Sequence, residues 1–578
     1  MNRFLSCLAA WLLGLELAQA NGHWLSPVLT PIIAQHMQLM TDGSVLCNEW
    51  RGSNWFKLTP NTNGSYTNGT WTNIAPMHYG RSYFGSAILR DGRLIVAGGE
   101  YGSYELCESN YPNQRQTSEI YDPVTNGWTL LPPVPAGLGY EVGSWNTNYN
   151  KYFYDNGFVE PSAMLLPNGD WLVAPAYCLT NVIFSVASNQ WCLGAINLDR
   201  QNETSWVKLP DDSILTVDKD VDASVETDTN TAERYIPALH RWVAEPNLIA
   251  NITLYNEYGP AVLLPDGRAL FMGANGTNLF YSSSGSTNPG TWSLAAAFPP
   301  GLGANDTPAV SLVSGNVLTV VSPLATSADK GKGLLFFEFN PVLNQWNMCP
   351  PPPAPCAANW TGNQAIGTDA ISMLLLPDGT VLFSDHETPF LYVYVTDDPL
   401  LPAGKPTSLN IKPAENGVYH LAGKLLNGLN VGAVYGDEGQ MDSNFPIIRL
   451  QNGANAYYCR TVNRSSTGVM TGDKILSADF KVPEQLPPGN YSLSVVANGI
   501  ASDPVSFAGP IWVDFNSASL LELGDYDFPY KTLTNGIAHV SNSGAIFIKP
   551  GSSTEHINTS KPTQISAVGG NVHVGASH

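Results

Sequence analysis

Short apolar runs recur along the chain, each stopped by a polar turn and followed by a second apolar run. The stretch 257–273 shows the pattern most fully: Ala261 to Leu264 is apolar, Pro265-Asp266-Gly267-Arg268 interrupts, and a second apolar run follows. An Asp-Gly pair between hydrophobic runs supplies the positive φ angles of a tight turn, so the pattern predicts an antiparallel hairpin. Related turns stand at Thr41-Asp42-Gly43, Arg90-Asp91-Gly92, Pro167-Asn168-Gly169, Val313-Ser314-Gly315 and Pro377-Asp378-Gly379. With the first, these make six copies of one unit, an internal repeat.

Outer halves of the units end in tryptophan. Glu119-Ile120-Tyr121-Asp122-Pro123 leads to Trp128, Glu233-Arg234-Tyr235-Ile236-Pro237 leads to Trp242, and Trp71, Trp206, Trp292 and Trp346 close other units. Trp242 lacks an Asp-Gly hairpin upstream, so residues from about Ile214 form a divergent seventh unit. Strand pairs with aromatic-ended outer pairs, at intervals of about fifty residues, are the signature of four-stranded Kelch-type propeller blades. The blades are expected at 30–71, 80–128, 158–206, 212–242, 255–292, 305–346 and 367–396, with His23-Trp24-Leu25 supplying the outer strand that the last one lacks.

Beyond Pro402 the punctuation changes. Alternating strands to about Phe507 predict a β-sandwich of about 100 residues, immunoglobulin-like in class. The remainder is β-rich: Ala545 to Gly551 and Thr563 to Gly570 read as two rungs of a parallel β-helix, and Pro529 to Leu533 starts a short helix. Such solenoids stack three or more repeats, so this tail is a remnant or docks on the sandwich. The expected order is therefore all-β: signal peptide 1–20, propeller 21–402, sandwich 403–510, tail 511–578.

Composition agrees with short strands and many turns, since 53 Gly and 43 Pro accompany only 13% charged residues. A net charge of −21 argues against nucleic-acid and anionic-membrane partners, which need basic footprints. Basic Arg3, an apolar run from Phe4 to Leu15 and Ala18-Gln19-Ala20 predict export by a signal peptide, and no later stretch is long and apolar enough to span a bilayer. Sequons at Asn63, Asn68, Asn202, Asn251, Asn275, Asn305, Asn359, Asn463, Asn490 and Asn558 fit a secreted glycoprotein. Removing Cys7 with the signal leaves seven cysteines; Cys349 with Cys356 and Cys178 with Cys192 are candidate pairs, and at least one thiol stays unpaired.

The propeller and sandwich together, about 30–510, resemble the galactose oxidase and glyoxal oxidase family of secreted copper radical oxidases. Arg81 to Ala87 with Asp91-Gly92-Arg93 is similar to the blade that carries the family's radical tyrosine. Tyr255 to Gly267 is similar to the blade with its Tyr-His pair, and Ala433 to Asn444 to the sandwich loop that delivers its last histidine. The family's chemistry uses a cysteine-crosslinked tyrosine, a second tyrosine and two copper-binding histidines. Carried over by position, the tyrosines fall on Tyr83 and Tyr258. The cysteine falls on Ala34, one histidine on Gly259, and the sandwich loop offers only Tyr435, Asp437, Glu438 and Asp442. The resemblance thus implies the fold without the copper site, and no cofactor is expected.

The residues just before each inner strand nevertheless define a mouth. Ala34, His36, Tyr83, Glu160, Glu257, Tyr258, Asp306 and Asp369 share that repeat position, with Asp437 or Glu438 entering from the sandwich. Solvated rim acids are one reading; a hard-metal or polar-ligand site is the other, because carboxylates suit Ca, Mg or Mn better than copper. His386 reads either as a structural histidine or as one lining the opposite mouth, and Asp211-Asp212 with 218–222 reads as a solvated loop. The leading expectation is a ligand-binding or accessory protein taking a small molecule or carbohydrate. Its rivals are an oxidoreductase-like or tailoring enzyme of altered chemistry, for instance in secondary metabolism, and a structural surface protein anchored by the tail.

Overall fold

The computed structural model describes residues 19–99, 117–134, 161–175, 179–199, 201, 204–217, 230–254, 257–324, 333–434 and 440–575. It is a seven-bladed propeller followed by a curled sheet and a small parallel β domain. The Asp-Gly turns are hairpin turns as expected: Gly43, Gly92, Gly169, Gly267, Gly315 and Gly379 all have φ between 76° and 92°, where a Cβ would be strained.

In blades two to seven the outer pair is held by one repeated contact, whereas in blade one Leu58 faces Trp71. An aromatic residue on the third strand faces a tryptophan on the fourth: Tyr121 and Trp128, Phe184 and Trp191, Tyr235 and Trp242, Tyr281 and Trp292, Phe339 and Trp346. Their ring centroids are 4.8–5.4 Å apart, a geometry that adds about 0.5–1.5 kcal/mol to burial. In blade seven the tryptophan is Trp24, opposite Tyr394, from the strand Gly22–Trp24. The start of the chain therefore closes the ring. Several indoles also reach the preceding blade, as when Trp292 Nε1 donates to the Pro246 carbonyl at 2.8 Å and Trp346 Nε1 to Ala296 at 2.8 Å.

Two expectations about blades three and four are corrected. Trp206 does not close blade three; its fourth strand is Gln190–Ile196 with Trp191, and Trp206 immediately precedes blade four's inner strand Val207–Lys208. Blade four also has a hairpin of its own. Asp211-Asp212 is its turn, with Asp212 at φ 66° in the place that glycine takes elsewhere, a backbone Asp tolerates better than most residues. Residues 218–222 lie outside the described residues.

Buried carboxylates recur on third strands. Glu119 binds Arg81 at 2.8 Å and His78 Nδ1 at 2.7 Å, and Glu338 accepts from the Tyr394 hydroxyl at 2.6 Å. A buried carboxylate needs such partners, and these partners come from neighbouring strands and blades, so the pairs fix how the blades abut.

The eight strands from Thr407–Pro413 to Val505–Ala508 form one curled antiparallel sheet. The strand Asn455–Val462 is its corner: residues 455–459 pair with Ile447–Asn452 and residues 460–462 with Ile475–Lys481. The two halves thereby fold onto one apolar core that includes Leu421, Ile448, Phe480 and Leu493, as the layers of a sandwich do.

The tail has parallel rungs. Ile511–Val513, Ala545–Ile548 and Gln564–Ala567 stack in parallel, as do Gly551–Ser553 and Val572–Val574. Thr532 caps the helix Leu533–His539 by accepting from Asn535 N. Trp512 and Phe547 enter the sandwich core, so the rungs are docked on it. Cys349 and Cys356 are buried thiols that are not bonded to each other, contrary to the candidate pair; Cys178 lies outside the described residues.

Candidate active-site region at the propeller mouth

The two ends of the propeller are distinguished by what meets them. The turn end faces the curled sheet: Arg464 donates to the Leu89 carbonyl at 3.0 Å, Lys208 Nζ to the Thr467 carbonyl at 3.1 Å, and Asn430 Nδ2 to the Leu263 carbonyl at 3.1 Å. From that side a hairpin, Gly432–Val434 with Gln440–Asp442, enters the propeller axis and pairs with the inner strand Ala309–Ser311. Val434 pairs with Ala309, so the hairpin has reached the far end of the inner strand at its last described residue. The far end, where inner strands begin, is the mouth.

There the sequence-derived residues form two groups. Tyr83 is 8% exposed at φ 50°, and its hydroxyl donates to the Asp369 carbonyl at 3.4 Å. Tyr258 is buried in the apolar cluster that spans blades three to six, and its carbonyl accepts from Asp306 N at 2.8 Å. Asp306, Asp369 and Glu257 are half-buried. Glu257 exchanges backbone hydrogen bonds with Leu254 at 3.1 and 3.2 Å. Glu160, Tyr435, Asp437 and Glu438 lie outside the described residues, and the side chain of Asp442 is not described.

His36 lies buried against Phe84, ring centroids 4.3 Å apart, with Nε2 3.0 Å from Ser86 Oγ. Burial lowers its pKa to about 4, so it is neutral at physiological pH. His386 is not at the opposite mouth. It follows the second strand of blade seven, Val381–Ser384, which runs antiparallel to the inner strand and so ends where the inner strand began. Its ring stands 6.4 Å from that of Trp50, which occupies the same place after blade one's second strand and meets Tyr83 edge-on at 5.7 Å. Sequence reading missed Trp50 altogether, although the same antiparallel rule places it at the mouth.

Arg51, Tyr83, Asp306 and His386 at the mouth have φ between 49° and 56°; elsewhere Asp212, His240, Leu425, Met470 and Ser543 also hold positive φ. Such residues persist where surrounding contacts hold them and are common at ligand sites.

Gly259, expected from the sequence to match the oxidases' propeller histidine, has no room for a side chain. A Cβ there would lie 2.4 Å from the Met272 carbonyl oxygen and 2.5 Å from that of Ala304. Ala34, at the cysteine position, is buried, and its carbonyl accepts from Ser384 Oγ. Among the described residues no three His, Cys, Asp or Glu side chains gather as a metal site would require.

No protein-family model matches the chain. Over 143 residues it is 29% identical to Kelch-like protein terF of Aspergillus terreus (strain NIH 2624 / FGSC A1156), a match covering 25% of this chain and 25% of that protein. The match thus spans about a quarter of that relative's length. A solved structure described as a novel fungal alcohol oxidase with catalytic diversity among the AA5 family, in complex with copper, matches with a TM-score of 0.51 at 13% identity. That match covers 84% of this chain and 99% of the oxidase, and at this identity it speaks for the fold alone. The chain is a seven-bladed propeller that resembles an AA5 fungal alcohol oxidase in fold and, over a quarter of its length, a Kelch-like protein in sequence.

Proposed function

We propose that this is a secreted, glycosylated ligand-binding or accessory protein that uses the propeller mouth without copper. Gly259 carries the reading. The residues present do not fit a copper radical centre: the glycine backbone is packed against two carbonyl oxygens where an imidazole would project, and Ala34 offers no thiol for a tyrosine crosslink. Tyr83 and Tyr258 are instead held by packing and backbone contacts. Secretion rests on the signal-like start of the chain, and among the described residues no helix is long and apolar enough to cross a membrane. Glycosylation rests on the exposed sequons at Asn63, Asn68, Asn359, Asn463, Asn490 and Asn558; Asn305, only 3% exposed, leaves no space for a glycan in the folded chain.

Elemental analysis and electron paramagnetic resonance of the purified protein test the copper part. The expected outcome is copper well below one per chain, no tyrosyl radical and no peroxide from alcohols or aldehydes. Stoichiometric copper with a radical signal overturns it. For the binding part, a carbohydrate and small-molecule array should give a signal that Tyr83→Ala abolishes, and a signal indifferent to that change counts against the mouth.

A further inference from the structure

Blade six departs from its sisters at the turn. In blades one, two, four, five and seven the side chain two residues after the turn acid donates back to that acid: Ser44 to Asp42, Arg93 to Asp91, Ser213 to Asp211, Arg268 to Asp266 and Thr380 to Asp378. Blade three closes the same pair in the other direction, from Asn168 to Asp170. In blade six Ser314 stands where the acid would be, and Asn316 Nδ2 donates to Glu338 Oε2 at 3.2 Å and to Asp398 Oδ2 at 2.9 Å. Those two bonds use both amide protons and fix which end of the group is oxygen. Asn316 is 5% exposed, and among the described residues no donor reaches its Oδ1, which is not sealed in and borders a groove of about 330 Å³. An amide whose protons are held by two carboxylates is polarised, so this oxygen is a strong acceptor.

Charge in the groove is unbalanced. Glu338 is held by the Tyr394 hydroxyl and Asn316, Asp398 by Asn21 Nδ2 at 3.0 Å and Asn316, and among the described residues no cation pairs with either. On the matching strand of blade two, Glu119 has Arg81. Burial raises the Glu338 pKa, and the charge of Asp398 adds to the rise. Asp266, also in the groove, is already neutralised by Arg268 Nη2 at 2.6 Å. Asp398 is thus the lining carboxylate left without a cation. Beside it the wall is apolar, with Val342 90% exposed and Leu401 half-buried.

We infer that this groove, between blades five, six and seven at the turn end, binds a primary alkylammonium group. The nitrogen sits between the Asp398 carboxylate and Asn316 Oδ1, and the carbon chain lies along Val342 and Leu401. The two oxygens are within about 5 Å of each other, a gap that one ammonium spans with two hydrogen bonds of ordinary length. Both can only accept, so the ligand must bring the protons, and an anion brings none. Each Asp398 oxygen already holds an asparagine donor, which leaves no open edge for a guanidinium fork. One unbalanced carboxylate suits a monocation better than calcium, which takes about six or more oxygens. The groove lies away from the mouth, so the inference stands apart from the reading of the mouth.

A free alkylamine and a lysine side chain of another protein share this chemistry. n-Butylamine and an acetylated, amidated peptide with one lysine among glycines separate them, and n-butanol is the uncharged control. Each is titrated into the full-length protein at pH 7 and low salt, with saturation-transfer NMR as the readout. At least one amine should saturate by about 10 mM, the tighter one naming the source, while butanol does not bind. Asp398→Asn should weaken that amine about tenfold or more, the worth of a charged hydrogen bond. Val342→Ser, at a side chain that folding leaves in water, should weaken the same amine about threefold with the melting midpoint unchanged. Butanol binding as well as butylamine, an amine bound equally by D398N or by V342S, or no saturation by either amine overturns the inference. Calcium chloride that displaces the amine at micromolar concentration assigns the groove to a metal and overturns it too.

Discussion

The two ends of the propeller are built from the same seven hairpins, yet they meet their polar groups in opposite ways. At the turn end one device repeats in every blade. Side-chain oxygens of Asp42, Asp91, Asn168, Asp211, Asp266, Ser314 and Asp378 each accept the backbone N–H two residues on, at 3.0–3.3 Å. The turn is thus satisfied locally, and the curled sheet then covers it. At the mouth no device repeats. The mouth position carries tyrosine in two blades (Tyr83, Tyr258) and aspartate in two others (Asp306, Asp369), and two imidazoles are buried neutral. Repetition satisfies the backbone in the same way at every turn of one end, and the other end has no such uniform device.

The largest expected effect is on pH dependence and belongs to the mouth. His36 and His386 titrate at about 4 and about 3 in the folded chain, against 6.5 as the ordinary value. Below about 6.5 the unfolded chain binds protons that the folded chain refuses, so stability falls with pH and the loss is complete only below about 3. At completion it amounts to roughly 3 kcal/mol for His36 and about 5 kcal/mol for His386. Urea unfolding at pH 7 and pH 4.5 should show a steep loss in the wild type and a shallower one in a His36→Gln, His386→Asn double variant. Equal losses would remove the asymmetry between the ends.

Next comes the lock on the turn end. Lys208 Nζ is buried and donates to the Leu165 carbonyl at 2.6 Å as well as to Thr467. Lys208→Met strands those oxygens and should cost about 3 kcal/mol in chemical denaturation. Gly259→His is smaller in stability and sharper in meaning. Placing a side chain against the Met272 and Ala304 carbonyls should cost about 2 kcal/mol, and elemental analysis should find that the added imidazole confers no stoichiometric copper. The smallest effect is expected from Asp266→Ala, where one exposed turn loses its bond to Arg268 N at 3.0 Å. Thermal unfolding should register about 1 kcal/mol, with ligand binding at the mouth unchanged.

Legibility in the sequence followed the range of the forces involved. The Asp-Gly hairpins could be read because a positive φ and a two-residue side-chain bond are local requirements written in adjacent residues. Trp206 was misplaced for the opposite reason. An aromatic residue at roughly the right interval satisfies the spacing, while the actual partner of Phe184 is Trp191, and only strand register distinguishes them. Asp212 was overlooked as a turn residue because it lacks the glycine that marks the other turns. At the mouth, Tyr83, Tyr258, Asp306 and Asp369 were found by repeat position, and the structure groups Tyr83 with Asp369 and Tyr258 with Asp306.

The sequence alone determined the repeated hairpins, the aromatic-ended outer pairs and the number of blades, because each depends on contacts between residues close along the chain. By resemblance it led to the expectation that Gly259 and Ala34 stand where an oxidase would need other residues. Only the tertiary structure decided that Gly259 cannot hold a larger side chain, since the carbonyls that crowd it belong to Met272 and Ala304. It alone brought Trp50 beside His386, which are 336 positions apart and meet because blade seven closes against blade one. Ring closure is a long-range event, and the chemistry of the mouth is assembled by it.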